Sequence, residues 1–137
     1  MADVFTPEKR SAIMSRIKGG NTKPEILVRR IVHSLGFRFR LRPQNLVGKP
    51  DLVLPRYRKI IFVHGCFWHG HARCRRSTLP TSNVAFWQKK IEGNKARDRN
   101  VVRTLRRMKW DILVVWQCET THIERLTKRL ERFLEGA

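Results

Sequence analysis

The sequence predicts an α/β domain in which a mixed sheet of about four strands carries helices on its faces. Three observations predict it. Apolar residues recur at helical spacing near both ends, short apolar runs stand at DLVL, KIIFVH and DILVVW, and a length of 137 residues suits a single core.

Taken in order, Thr6-Pro7-Glu8 sets a capping hydroxyl, a first-turn proline and an early acid ahead of Gly19-Gly20, predicting a helix from Pro7 to Lys18. Thr22-Lys23-Pro24-Glu25 reads as a capping box before Leu27, Val28, Ile31, Val32 and Leu35, one apolar helical face closed by Gly36. Phe37-Arg38-Phe39-Arg40-Leu41 alternates at the strand period, turn residues follow in PQNLVGKP, and DLVL and KIIFVH supply two more strands. Residues 83–108 read as helical with a break near Gly93-Asn94, and DILVVW at 111–116 is apolar enough for a sheet centre. Ile123, Leu126, Leu130 and Phe133 mark a closing helix. No repeat, low-complexity tract or linker divides the chain.

Thirty Lys and Arg against eleven Asp and Glu give a formal charge of +19 and a pI near 11.4. Self-repulsion of that size is relieved beside a polyanion, which makes nucleic acid the first candidate partner. An anionic membrane surface fits less well, because the basic residues are spread over every segment and form no lipid-anchoring tail. No run approaches the roughly 18 apolar residues of a spanning helix, and MADVFTPEKR lacks a signal peptide's apolar region. A cytosolic location without a membrane partner is the expectation. Three cysteines cannot all pair within one chain, so metal binding or burial must account for them.

The stretch HGCFWHGHARC, residues 64–74, gathers metal ligands, titratable imidazoles and large rings. Cys66, His71 and Cys74 lie close enough to converge on one ion, and Cys118, after a strand end, completes a tetrahedron from afar. Thiolate and imidazole donors suit a structural zinc; His69 is an alternative to His71 as the ligand. Asp51 is the one acid between Glu25 and Glu92. A carboxylate amid phosphodiester-binding arginines adds repulsion unless it holds a divalent cation, which makes Asp51 a candidate magnesium ligand. KIIFVH ends at His64, so a neighbouring strand can deliver His64 and His69 to the same end of the sheet, where an imidazole suits proton transfer in phosphodiester hydrolysis. His33 and His122 read as helix-surface residues. Taken singly, Glu25 is a capping-box partner and Asp98 an ion-pair partner of neighbouring arginines.

GKPD at 48–51, FVHGCFWHGH at 62–71, FWQKKIEGNKARD at 86–98 and DILVVWQCE at 111–119 together resemble the very short patch repair (Vsr) endonucleases, over about residues 8–131. The resemblance implies a PD-(D/E)xK nuclease fold and a magnesium-dependent enzyme that nicks one strand 5′ of the mispaired thymine of a T:G pair in a short methylated context. The chain departs from the general PD-(D/E)xK signature: no acid-x-lysine follows Asp51, and the matching strand reads Phe62-Val63-His64.

Carried over by position, the metal is held by Asp51 and by the main-chain carbonyl of Val63. His69 is then the general base, His64 a second catalytic imidazole, Asp98 the acid that supports the catalytic histidine, and Glu25 an acid near the active centre. The zinc ligands carry over as Cys66, His71, Cys74 and Cys118. The resemblance also gives the rings a task, since wedging them beside a poorly stacked mispair costs less than at a matched step. Phe67 and Trp68, expected to be exposed, are the wedges, Trp87 is a third intercalating ring, and Met14 enters from the opposite groove. Residues 1–20 are thereby a DNA-contacting helix and 21–137 the nuclease domain of one folding unit. A monomer is expected, with mismatched duplex DNA and mismatch-repair proteins as partners and the bacterial nucleoid as the place of action. A zinc-stapled DNA-binding module without catalysis explains charge, cysteines and rings but leaves Asp51 without a task. A restriction or junction nuclease of the same fold is the other reading.

Overall fold

Thr22 is extended, at φ −71 and ψ 160, and its hydroxyl accepts the Glu25 N–H at 3.4 Å, which starts helix α1 (Lys23–Ser34) where the sequence places it. Gly36, at φ +89, ends it. The computed structural model describes residues 22–43 and 45–136. The helix expected from Pro7 to Lys18, and Met14 with it, lies outside them.

Strands β1 (Arg40–Leu41), β2 (Leu52–Leu54), β3 (Lys59–His64) and β4 (Asp111–Trp116) form one sheet in the order β1-β2-β3-β4. The first two pairings are antiparallel; β3 and β4 are parallel, from Lys59 opposite Asp111 to His64 opposite Trp116. A parallel neighbour needs a crossover, and helix α2 (Val84–Arg107) supplies it. Helix α3 (Ile123–Glu135) closes the chain. The expected mixed sheet of four strands with helices on both faces is therefore present.

All six residues of β3 are buried, and their alternation divides the core into two. Ile61 and Val63 join Val28, Ile31 and Val32 of α1 and Leu126, Leu130 and Leu134 of α3 on one face. Ile60 and Phe62 join Leu105 of α2 and Trp110 on the other. Since β2 runs against β3 while β4 runs with it, the start of β2 and the ends of β3 and β4 meet at one edge of the sheet. That edge carries Asp51, His64 and Trp116.

Four expectations are corrected. The strand expected at residues 37–41 pairs only at Arg40–Leu41, both exposed; Phe37 and Phe39 pack against the core instead, Phe37 edge-on to Tyr57 at 5.1 Å. DILVVW forms β4, but at the sheet's edge among the described residues, while β3 holds the centre. α2 does not break at Gly93-Asn94: a helical glycine costs about 1 kcal/mol, which the burial of Ile91 and Leu105 and a hydrogen bond from Asn94 offset. In α3 the buried row is Leu126, Leu130 and Leu134, so Phe133 lies at its margin and Ile123 is 54% exposed.

Leu130→Ala removes a fully buried side chain shared by α1, α3 and the sheet, and is expected to lower unfolding free energy by about 2–5 kcal/mol in urea titrations. Ile123→Ala, at the exposed end of α3, should cost no more than about 0.5 kcal/mol. Equal losses at the two sites would refute this account of the helix's buried face.

Candidate active site and metal cluster

Asp51 sits immediately before β2, and its Oδ2 accepts the Val63 N–H at 2.7 Å across the strand pair. Arg42 Nη2 stands 3.9 Å from Oδ1 and 2.5 Å from Glu25 Oε2, so one guanidinium serves both carboxylates; Arg29 adds a second contact to Glu25 at 3.4 Å. Glu25, read singly as a helix cap, thus turns its carboxylate to this group. Burial pushes the Asp51 carboxyl up to about 6; the Val63 N–H, Arg42 and His69 oppose that rise, and Glu25 adds to it.

At the end of β3, His64 stacks on His69, with ring centroids 3.8 Å apart and planes 4° from parallel. His69 Nδ1 lies 2.6 Å from Asp98 Oδ2 of α2. An ionised carboxylate can only accept, so a neutral ring making this contact carries its proton on Nδ1 and has its lone pair on Nε2. Burial, reinforced by the neighbouring His69, pushes the His64 imidazole down to about 4, with Asp98 opposing, so His64 is neutral at neutral pH. Its Nδ1 is buried and has no hydrogen-bond partner among the described residues. His64, His69 and Asp98 offer donor atoms within 4.8 Å of one another, and Asp51 is not among them. Asp98 already takes Nδ1 of His69 and the two rings lie flat on each other, so the trio is not arranged to converge on one ion.

The loop between β3 and α2 is held against the helix. Asn94 of α2, buried, donates to the Trp68 carbonyl at 2.9 Å. Gly70, at φ +59, lies so near that a Cβ there would stand 2.6 Å from Ile91 Cγ2.

The same loop brings three potential metal donors to a second place. One donor atom each of Cys66, His71, Cys74 and Cys118 lie within 4.8 Å of one another. Cys118 Sγ stands 3.5 Å from His71 Nδ1, and its N–H donates to Cys66 Sγ at 3.4 Å. Burial pushes the Cys66 thiol up to about 12, a cost that a dication reverses by favouring the thiolate. His71, not His69, is the histidine of this group.

The rings are less exposed than expected. Phe67 is 7% exposed and meets Trp68 and Trp87 edge-on, each at 5.4 Å; Trp68 and Trp87 are half-buried and 5.9 Å apart. Three T-shaped contacts lock the cluster, which is why Phe67 does not stand free. The outermost ring is Phe86, 61% exposed and edge-on to Trp87 at 5.1 Å. Sequence reasoning missed Phe86, Arg42 and Asn94. Phe86 follows from the helical offset beside Trp87, whereas nothing distinguishes Arg42 among thirty basic residues.

Residues 2–76 match the family model described as DNA mismatch endonuclease Vsr. The chain is 45% identical to the type II nicking enzyme V.XorIIP of Xanthomonas oryzae, over 98% of both chains. It is 42% identical to the type II nicking enzyme V.NmeAIP of Neisseria meningitidis, over 98% of this chain and 95% of that one. Identity to the DNA mismatch endonuclease Vsr of Escherichia coli is 38%, over 99% of this chain and 90% of the other. These relatives span Asp98 and Cys118, which the family match stops short of, so the histidine–aspartate group and the cysteine cluster both fall within the likeness: the chain belongs to the Vsr family of DNA mismatch endonucleases.

Proposed function

We propose that this endonuclease nicks one strand of duplex DNA 5′ of the mispaired thymine in a T:G pair, within a short sequence context, using magnesium on a PD-(D/E)xK scaffold. The observation that carries the reading is the Asp98–His69 pair at 2.6 Å, with His64 stacked on it, at the sheet edge that also holds Asp51. One relative is named a DNA mismatch endonuclease and two are named nicking enzymes, which supports attack on a single strand of a mispaired site.

Asp51 and the Val63 carbonyl would hold the magnesium. A hard oxygen donor beside a phosphate suits this ion, which is usually bound by one or two carboxylates together with substrate oxygens. Bound there, the cation supplies charge neutralisation and polarisation at the scissile phosphate. Asp98 fixes the His69 ring so that Nε2 takes the proton of the attacking water as the new P–O bond forms and the bond to the leaving sugar oxygen breaks. His64, kept neutral, is an uncharged second imidazole against the first. Glu25 steadies Arg42, and Arg42 limits repulsion between Asp51 and the phosphate.

Cys66, His71, Cys74 and Cys118 would hold a structural zinc, for which three thiolates and one imidazole are a matched tetrahedral set. Trp68 and Trp87 present ring surface to the base step, with Phe67 as the buried root of the wedge; Met14, outside the described residues, is proposed for the opposite groove. The +19 charge suits the phosphate backbone.

Asp51→Ala is expected to lower nicking of a T:G duplex by at least about 10³-fold, the share of a catalytic cation, while leaving binding nearly unchanged; a T:A control duplex should survive intact. Equal cutting of both duplexes would end the mismatch reading. His69→Ala and Asp98→Asn should each reduce kcat by roughly 10²–10⁴-fold with little change in KM; a wild-type rate in His69→Ala would remove it from the chemistry. Cys118→Ala should lower zinc affinity by at least about tenfold and depress the melting temperature, whereas His69→Ala should keep its zinc, which metal analysis after dialysis decides.

A further inference from the structure

Four rings form an unbroken column between the cysteine cluster and the catalytic pair. His71 lies face to face on Trp116, with centroids 4.1 Å apart and planes 8° from parallel. The edge of Trp116 meets His64 at 5.3 Å and 76°, and His64 stacks on His69 at 3.8 Å and 4°. Asp98 ends the column.

Trp116 is itself fixed from behind. As the last residue of β4 it donates its N–H to Glu119 Oε1 at 2.9 Å, and Arg129 of α3 grips Glu119 at 2.6 and 2.5 Å. The next residue, Gln117, accepts the Cys66 N–H through Oε1 at 3.4 Å, and Cys118 completes the cluster. His64, by contrast, has no hydrogen bond at its buried Nδ1 among the described residues to set the ring angle. Ring packing must set it, and the packing comes from His69, Trp116 and Phe62, the last at 5.6 Å. An imidazole fixed by aromatic contacts alone turns when one of its walls is removed.

We propose that Trp116 is a positioning residue that sets the plane of His64, and through it that of His69, and ties both to the metal cluster through His71. In this role it acts through the two imidazoles and not on the substrate itself. The proposal rests on the reading of His69 as the base. It also gives the cluster a task beyond holding the loop, since a change at His71 reaches the reacting histidines through one shared indole.

The test compares wild type, His69→Ala, Trp116→Leu and Trp116→Phe as zinc-loaded full-length chains with magnesium present. It reads single-turnover and steady-state nicking of a T:G duplex, zinc content, thermal melting, and long-range proton–nitrogen spectra of the histidine rings. Trp116→Leu is expected to keep its zinc, to lose about tenfold or more in kcat with KM within about threefold, as small misplacements of a reacting group do, and to shift the His64 and His71 ring resonances. Trp116→Phe should restore kcat to within about threefold of wild type, because a ring again fills the wall. A Trp116→Leu chain with wild-type kcat, or one whose defect lies in KM or in zinc content alone, would overturn the proposal. Should Trp116→Leu not fold, Trp116→Phe decides: a large loss of kcat with both histidine rings at wild-type positions overturns it, and retained kcat with retained ring positions supports it. If His69→Ala nicked like wild type, the catalytic reading itself would fail, while ring shifts on Trp116 substitution would still report the packing.

Discussion

The architecture of the site depends on one close approach, the seating of the loop that leaves β3 against the side of α2. At Gly70 the side chains of α2 leave no room for another: a Cβ would stand 2.6 Å from Ile91 Cγ2 and 2.8 Å from Lys95 Cδ. That proximity lets Asn94 reach the Trp68 carbonyl at 2.9 Å and Asp98 reach His69 at 2.6 Å. Each such bond is worth only about 1 kcal/mol net, but leaving a buried partner unsatisfied costs about 1–3 kcal/mol, so the contacts stand or fall together. The helix face Trp87-Ile91-Asn94-Asp98, spaced at four, three and four residues, therefore acts as a template for both the ring cluster and the histidine pair.

Charge explains why the few acids stand where they do. In a chain of +19, a carboxylate lowers the local potential wherever it is placed, and three of the described ones hold specific partners around the site. Glu25 takes Arg42 and Arg29, Glu119 takes Arg129 and the Trp116 N–H, and Asp98 takes His69. Asp51 differs, because its nearest guanidinium is 3.9 Å away and shared with Glu25. Burial then outweighs attraction and holds its carboxyl at about 6.

Much of this was legible from residue patterns. α1 and β3 stand where the capping residues and the apolar run predict them, because local signals and burial agree there. The spacing of Cys66, His71 and Cys74 left two histidines open; the backbone turn decides for His71, by turning His69 toward α2. Other features were hidden because they depend on partners distant in sequence. Alternation in FRFRL marks a strand, yet only Arg40–Leu41 finds β2 to pair with. Gly93-Asn94 carries a local signal for a break, but Asn94 gains its partner from the loop twenty-six residues earlier, and that long-range bond overrides propensity. Phe67 looked exposed for the same reason: one of the two rings that cover it, Trp87, lies in another element.

How eleven consecutive residues serve three sites is a matter of backbone coiling. From Gly65 to His71 the chain turns on itself, with the N–H of His69 bonded to Gly65 O at 3.1 Å, that of Gly70 to Phe67 O at 3.3 Å and that of His71 to Cys66 O at 2.9 Å. A segment coiled this tightly sends successive side chains outward in different directions, as a strand does not. Cys66 and His71 fall on the side of the β4 end, His69 on the side of Asp98, and Phe67 and Trp68 toward Trp87. The directions also separate donor types, with sulfur and one imidazole on one side and the carboxylate of Asp51 at the start of a neighbouring strand. Thiolate and imidazole donors suit a softer ion than carboxylate oxygen does, so the two groups differ in ligand chemistry as well as in place. A one-residue insertion between Cys66 and His71 would rotate every later side chain and exchange those destinations, so the spacing within the segment carries as much information as its composition.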